Sequence, residues 1–113
     1  MQLTTSYTDA EVDAFLKEVM SNMPEYGLSL QCVSWKYDDC RFRFVDPENK
    51  TYMVDLPELR IGLAKMLRAM VEQGQMPIIY SAIKPDLLDG SNWDAEALDC
   101  LVQFSIFGEV IFG

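Results

Sequence analysis

Residues 29–55 constrain the fold more than any other part of the chain, because two turn signals divide them into three short runs whose side chains sort by face. Asp38-Asp39 reads as a two-residue turn, which sets Tyr37 against Cys40, Trp35 against Phe42 and Val33 against Phe44. The opposite side of that hairpin then carries Ser34, Lys36, Arg41 and Arg43. Asp46-Pro47-Glu48-Asn49-Lys50 suits a type I turn: proline presets its first position and Asn49 tolerates the left-handed bulge position. This second turn brings Tyr52 beside Phe44 and Val54 beside Phe42, and it sets Asp55 across from Arg41 for an ion pair. A one-residue slip would send every side chain to the other face. Two independent turns that agree on one apolar face therefore predict a three-stranded antiparallel meander.

Helical spacing dominates elsewhere. Thr8 and Glu11 form a capping box, Tyr7 and Val12 a hydrophobic staple, and Val12, Phe15, Leu16, Val19, Met20 and Met23 recur on one face. Pro24 and Gly27 end the run, which predicts a helix over 9–22. A second helix, 57–73, opens on Pro57 and stops at Gly74, with Leu59, Leu63, Met66, Leu67 and Met70 on one side. Gly62 lies near that stripe and would allow close packing on the sheet. Ile78-Ile79-Tyr80 is expected to add a fourth strand, and 84–92 is a polar loop. A third helix, about 93–107, begins with Asp94 and Glu96, which complement the helix dipole. Leu98, Leu101, Val102 and Ile106 form its inward stripe, while Cys100, Phe104 and Phe107 project to the other side. A helix apolar all round is buried on both sides or meets a partner. Gly108 stops it, and Val110-Ile111-Phe112 forms a last strand or a packed tail. The expected class is α+β: a three- to four-stranded antiparallel sheet with three helices packed mainly on one face. Residues 1–113 are expected to make one domain.

The chemistry is defined chiefly by what is missing. The chain has no histidine, so Ser–His and Cys–His nucleophiles are excluded, along with the commonest metal ligand. Cys32, Cys40 and Cys100 contain no C-x-x-C pair for zinc. Ser81-Ala82-Ile83-Lys84 fits S-x-x-K but lacks the companion motifs of penicillin-recognising enzymes, and Pro85 would break the helix that motif opens. Asp86, Asp89, Asn92 and Asp94 suggest a hard-cation loop, yet Pro85 and Leu87 stand where an EF-hand needs ligands, so turn and cap chemistry explains them. The glycines are isolated, and no phosphate-cradling loop follows from them. No cofactor and no metal are expected, and the balance points away from an enzyme.

The net charge of −9 is concentrated at the two ends. A field of that sign disfavours direct nucleic-acid binding. No segment has the character of a signal peptide, and no apolar run reaches the roughly 20 residues a bilayer requires. With an odd number of cysteines, the expectation is a cytoplasmic protein with reduced thiols. Two surfaces are candidates for binding: the basic trio Lys36, Arg41 and Arg43, and the stripe Cys100, Phe104 and Phe107. The expected function is a small acidic, non-enzymatic module that binds another protein or itself, similar in size and charge to inhibitors and immunity proteins. The alternatives are a small-molecule binder or an enzyme using carboxylates or cysteine, and a nucleic-acid mimic whose acids form one continuous stripe.

Overall fold

A computed structural model describes residues 7–21 and 29–112. The element order is α1 (Asp9–Met20), β1 (Gln31–Lys36), β2 (Arg41–Val45), β3 (Thr51–Val54), α2 (Leu56–Gln73), α3 (Pro77–Ile83), a 3-10 turn (Gly90–Asn92) and α4 (Ala95–Phe107). The class is α+β, with an antiparallel sheet in the order β1-β2-β3 and four α-helices among the described residues.

The start of α1 follows its sequence signal. The Thr8 hydroxyl accepts from Glu11 N–H, and the Glu11 carboxylate accepts from Thr8 N–H, each at 3.1 Å. Phe15, Leu16, Val19 and Met20 are buried, and Tyr7 and Val12 pack against the same core. The expected stop signals at Pro24 and Gly27, and Met23 with them, lie outside the described residues.

In the meander both turns place a residue in the left-handed region. Cys40 (φ 49°) closes the first turn, its N–H donating to Tyr37 O at 3.0 Å, and Asn49 (φ 67°) closes the second. Trp35 pairs with Phe42, Phe44 with Tyr52 and Phe42 with Val54, as the alternation predicts. A bulge at Val33 corrects the far end of the hairpin, where Cys32 rather than Val33 stands opposite Phe44. An extra residue there shifts only the pairs beyond it. Asp55 makes no ion pair with Arg41. It stands at the N-cap of α2, and its Oδ1 is buried without a hydrogen-bond partner. The second turn is held by Asp46, whose Oδ1 accepts from Glu48 N–H (2.8 Å) and Lys50 N–H (2.9 Å) and whose Oδ2 accepts from the Tyr52 hydroxyl (2.9 Å).

The expected fourth strand is instead α3. Met76 takes a left-handed conformation (φ 50°) and Pro77 opens the helix, with Tyr80 N–H donating to Met76 O at 3.0 Å. The β-branched pair Ile78-Ile79 favours a strand only weakly, and the proline at the first helical position prevails here.

One face of the sheet, with Phe42, Phe44 and Val54, is buried, and the other is exposed. The most extensive helix contact joins α2 and α4. Gly62 makes it possible, but against α4 and not the sheet: a Cβ there would lie 2.6 Å from the Cα and N of Ser105. α1 is tied to α2 by a two-pronged ion pair, Arg60 Nε to Asp13 Oδ1 at 2.6 Å and Nη2 to Oδ2 at 2.7 Å. Asp94 is the N-cap of α4, accepting from Ala97 N–H at 2.8 Å, so the helix starts two residues later than expected. Trp93, just before it, is buried edge-on to Phe15 and donates to Leu87 O at 3.0 Å. No described helix is long and apolar enough to cross a membrane.

Candidate functional site

Strand alternation carries Lys36, Arg41 and Arg43 to the exposed face of the sheet. Lys36 is the cross-strand partner of Arg41, and Arg43 lies between Ser34 on β1 and Met53 on β3. These residues and Trp35 line an open groove of about 300 Å³. Directly opposed like charges destabilise a sheet, so acidic neighbours would be expected to neutralise them. None of the three pairs with a described carboxylate. The ion pairs among the described residues are Arg60–Asp13, Lys50–Glu48 and Arg68–Glu72, all elsewhere. A chain with twice as many acids as bases therefore keeps three cations together with no ion pair to a described carboxylate.

The groove has an apolar border. Met53 is 47% exposed on the same face. Trp35 and Tyr37 lie on the side of Phe42, with ring centroids 6.2 Å apart and Tyr37 edge-on to Phe42 at 6.3 Å. They are nevertheless 45% and 47% exposed. β1 is an edge strand that overhangs the core, so its inward-pointing rings are only half covered.

The second candidate surface is largely covered, with only Phe107 half-buried. Cys100 and Phe104 are buried, and Phe107 sits edge-on to both Tyr52 (5.2 Å) and Phe112 (5.8 Å). The C-terminal tail packs on α4 at Phe107 through Phe112. Gln103, which sequence reasoning did not single out, is fully buried and holds that tail through hydrogen bonds to Ile111 and Phe112. Its signal was a lone amide between Val102 and Phe104 on a helix apolar all round.

The remaining polar clusters have structural roles. Asp89 Oδ1 accepts from Ser91 N–H and hydroxyl, Asp86 Oδ1 from Leu88 N–H, and Asp94 caps α4. No group of three acidic or cysteine side chains among the described residues is arranged to hold a metal ion. Asp99 accepts from Ser29 N–H and hydroxyl and from Gln103 Nε2, and Asp13 is engaged by Arg60. The acids of the two terminal segments are thus partly drawn into local bonds. Ser81 is exposed, and Lys84 Nζ lies 5.9 Å over the Tyr80 ring. All three cysteines are free thiols, and burial raises each of them, Cys100 to about 11 with help from nearby carboxylates. A thiol so poorly ionised is a weak nucleophile.

Comparison of the chain with models of known protein families, with curated proteins and with solved structures finds no match.

Proposed function

We propose that this protein is a non-enzymatic binding module that docks an acidic surface of another protein on the exposed face of its sheet. The observation that carries this reading is the Lys36–Arg41–Arg43 group, in which Lys36 and Arg41 oppose like charges across the strand pair and none of the three pairs with a described carboxylate. Met53, half exposed on that face, and Trp35, half exposed at the strand edge, add to the arginines the aromatic and methionine character enriched in interface cores. The acidic remainder of the molecule would repel acidic partners from every other approach and so orient the encounter.

Self-association fits the same surface less well. A two-fold contact through this face would set three cations against three cations. A head-to-tail contact between the basic face and acidic helices is heterologous and, unless its rotation closes a ring, grows without limit. A separate partner is therefore favoured.

The test is capture from the source cells with the wild-type protein and with Lys36→Glu/Arg41→Glu/Arg43→Glu in parallel, followed by calorimetry with the purified candidate. A partner bound by the wild type and lost by the triple variant supports the proposal. If binding survives the triple variant, or no partner is recovered and the protein sediments as a monomer, the proposal fails.

A further inference from the structure

We infer that the partner presents an extended acidic segment which adds to the free edge of β1, its carboxylates and apolar side chains alternating. This rests on the docking reading above and names the form of the occupant.

Among the described residues β1 has only β2 as a neighbouring strand, so its other edge offers backbone N–H and C=O groups to an incoming strand, the Ser34 carbonyl being held only by the Cys32 thiol at 3.7 Å. The two sides of that edge differ in chemistry. Lys36 projects to the outer face, with Arg41 and Arg43 behind it; Trp35 and Tyr37 project to the inner side, where they are half exposed. Residues of an added strand alternate between the same two sides. Every second side chain would lie beside Ser34 and Lys36, with Arg41 and Arg43 one strand further in and within reach of long acidic side chains. Those between would cover the Trp35–Tyr37 shelf. Acidic-apolar alternation is thus the pattern the edge selects.

Two features narrow the choice further. The bulge at Val33 interrupts the ladder, so the regular edge is the short stretch from Ser34 onward, and the docked segment is correspondingly short. A bulge and a lysine are also the devices by which edges avoid pairing with their own kind. Both oppose stacking of identical chains, and the lysine favours an acidic strand. The other edge, β3 (Thr51–Val54), carries no cation.

The test uses a phage-displayed library of random dodecapeptides selected on the immobilised protein, then synthetic versions of the enriched sequences. Enriched peptides should carry Asp or Glu at every second position, with Val, Ile, Leu or aromatic residues between. N-methylating alternate amides should weaken binding about tenfold or more for one set of positions and little for the other. The triple charge reversal should also cost on the order of tenfold or more. Acids at three- and four-residue spacing, or equal tolerance of both methylation sets, would overturn the strand inference; if such peptides still depended on Lys36, Arg41 and Arg43, the docking surface would stand. Failure to enrich acidic peptides, or indifference to the triple reversal, would overturn both. Tight binding of a fluorescent ten-nucleotide oligothymidine, lost in the triple variant, would overturn both in favour of single-stranded nucleic acid.

Discussion

Gln103 and Phe112 exchange two hydrogen bonds: Phe112 N–H donates to Gln103 Oε1 at 2.8 Å, and Gln103 Nε2 donates to Phe112 O at 2.9 Å. The same oxygen accepts from Ile111 N–H at 2.9 Å, and Nε2 also reaches Asp99 Oδ2 at 3.2 Å. One buried amide thus does for the tail what a neighbouring strand would do, and it closes the apolar side of α4 under Phe112. Gln103→Ala would leave two backbone N–H groups without their acceptor and a cavity behind them. A loss of about 2–4 kcal/mol is expected, read by urea denaturation, with faster amide exchange at Ile111 and Phe112. Unchanged exchange at those two amides would show that the tail is held by something else.

Gly62 sets a similar test between the helices. Alanine is a better helix former than glycine by about 1 kcal/mol, so propensity alone predicts that Gly62→Ala stabilises α2. The added methyl would instead meet the backbone of Ser105 at 2.6 Å, and backbone cannot swing aside. Overpacking should win, with a net loss of about 1–3 kcal/mol. A rise in Tm would mean that the two helices can separate freely.

These two residues also mark where sequence reasoning stopped. Period-two alternation and turn chemistry act between neighbours, so the pairs Trp35–Phe42, Phe44–Tyr52 and Phe42–Val54 were legible, and with them the outward basic trio. The bulge was not, because an extra residue far from the turn leaves the inner positions apolar under either register. Gly62 was legible as a close approach, but its partner Ser105 depends on how two distant helices meet. Ile78 to Tyr80 failed for a local reason: three residues of strand character are too few to outweigh a proline-opened turn. Half of the candidate site was visible as charge. The overhang that exposes Trp35 and Tyr37 depends on how far the helices extend beneath an edge strand, which no spacing encodes.

Asp46 gives the molecule an acid-sensitive turn. Its burial acts to raise the carboxyl, and the hydrogen bonds from Lys50 N–H, the Tyr52 hydroxyl and Glu48 N–H outweigh it, so the group ionises below the ordinary 3.8. A folded-state pKa below the unfolded one contributes stability that is complete above the unfolded value and is lost as pH falls through the folded one. Asp46→Asn keeps an acceptor for the two amides but cannot titrate. Thermal melts between about pH 5 and 2 should show the variant less stable at the upper end and the gap narrowing with acid. A constant offset across that range would mean that this carboxylate does not drive the acid response.

The thiols should separate by burial. Cys32 is half-buried, whereas Cys40 and Cys100 are buried. Burial first, and then the carboxylates of Asp99, Glu96 and Asp94, push Cys100 up to about 11. An aromatic disulfide reagent at mildly alkaline pH should label Cys32 first, with the other two following only as the protein opens and all three reacting at once in denaturant. Rapid labelling of Cys100 in the native protein would contradict its place in the core.

The sharpest prediction concerns Lys36, because stability and binding should move in opposite directions. In the free protein Lys36 faces Arg41 across the strand pair, a like-charge contact with no described carboxylate to relieve it. Lys36→Glu turns that contact into an opposite-charge pair, which should stabilise the sheet by about 0.2–1 kcal/mol and raise Tm by a small but measurable amount at low salt. Added salt should shrink the gain, since both side chains are solvent-exposed. The same substitution removes a cation from the proposed docking surface and should weaken any acidic partner. A residue kept only as part of a solvated face would show the first effect without the second. If Lys36→Glu stabilises the protein and leaves partner binding unchanged, the basic trio has no part in recognition; if it stabilises and abolishes binding, the unfavourable charge pair is retained for its partner.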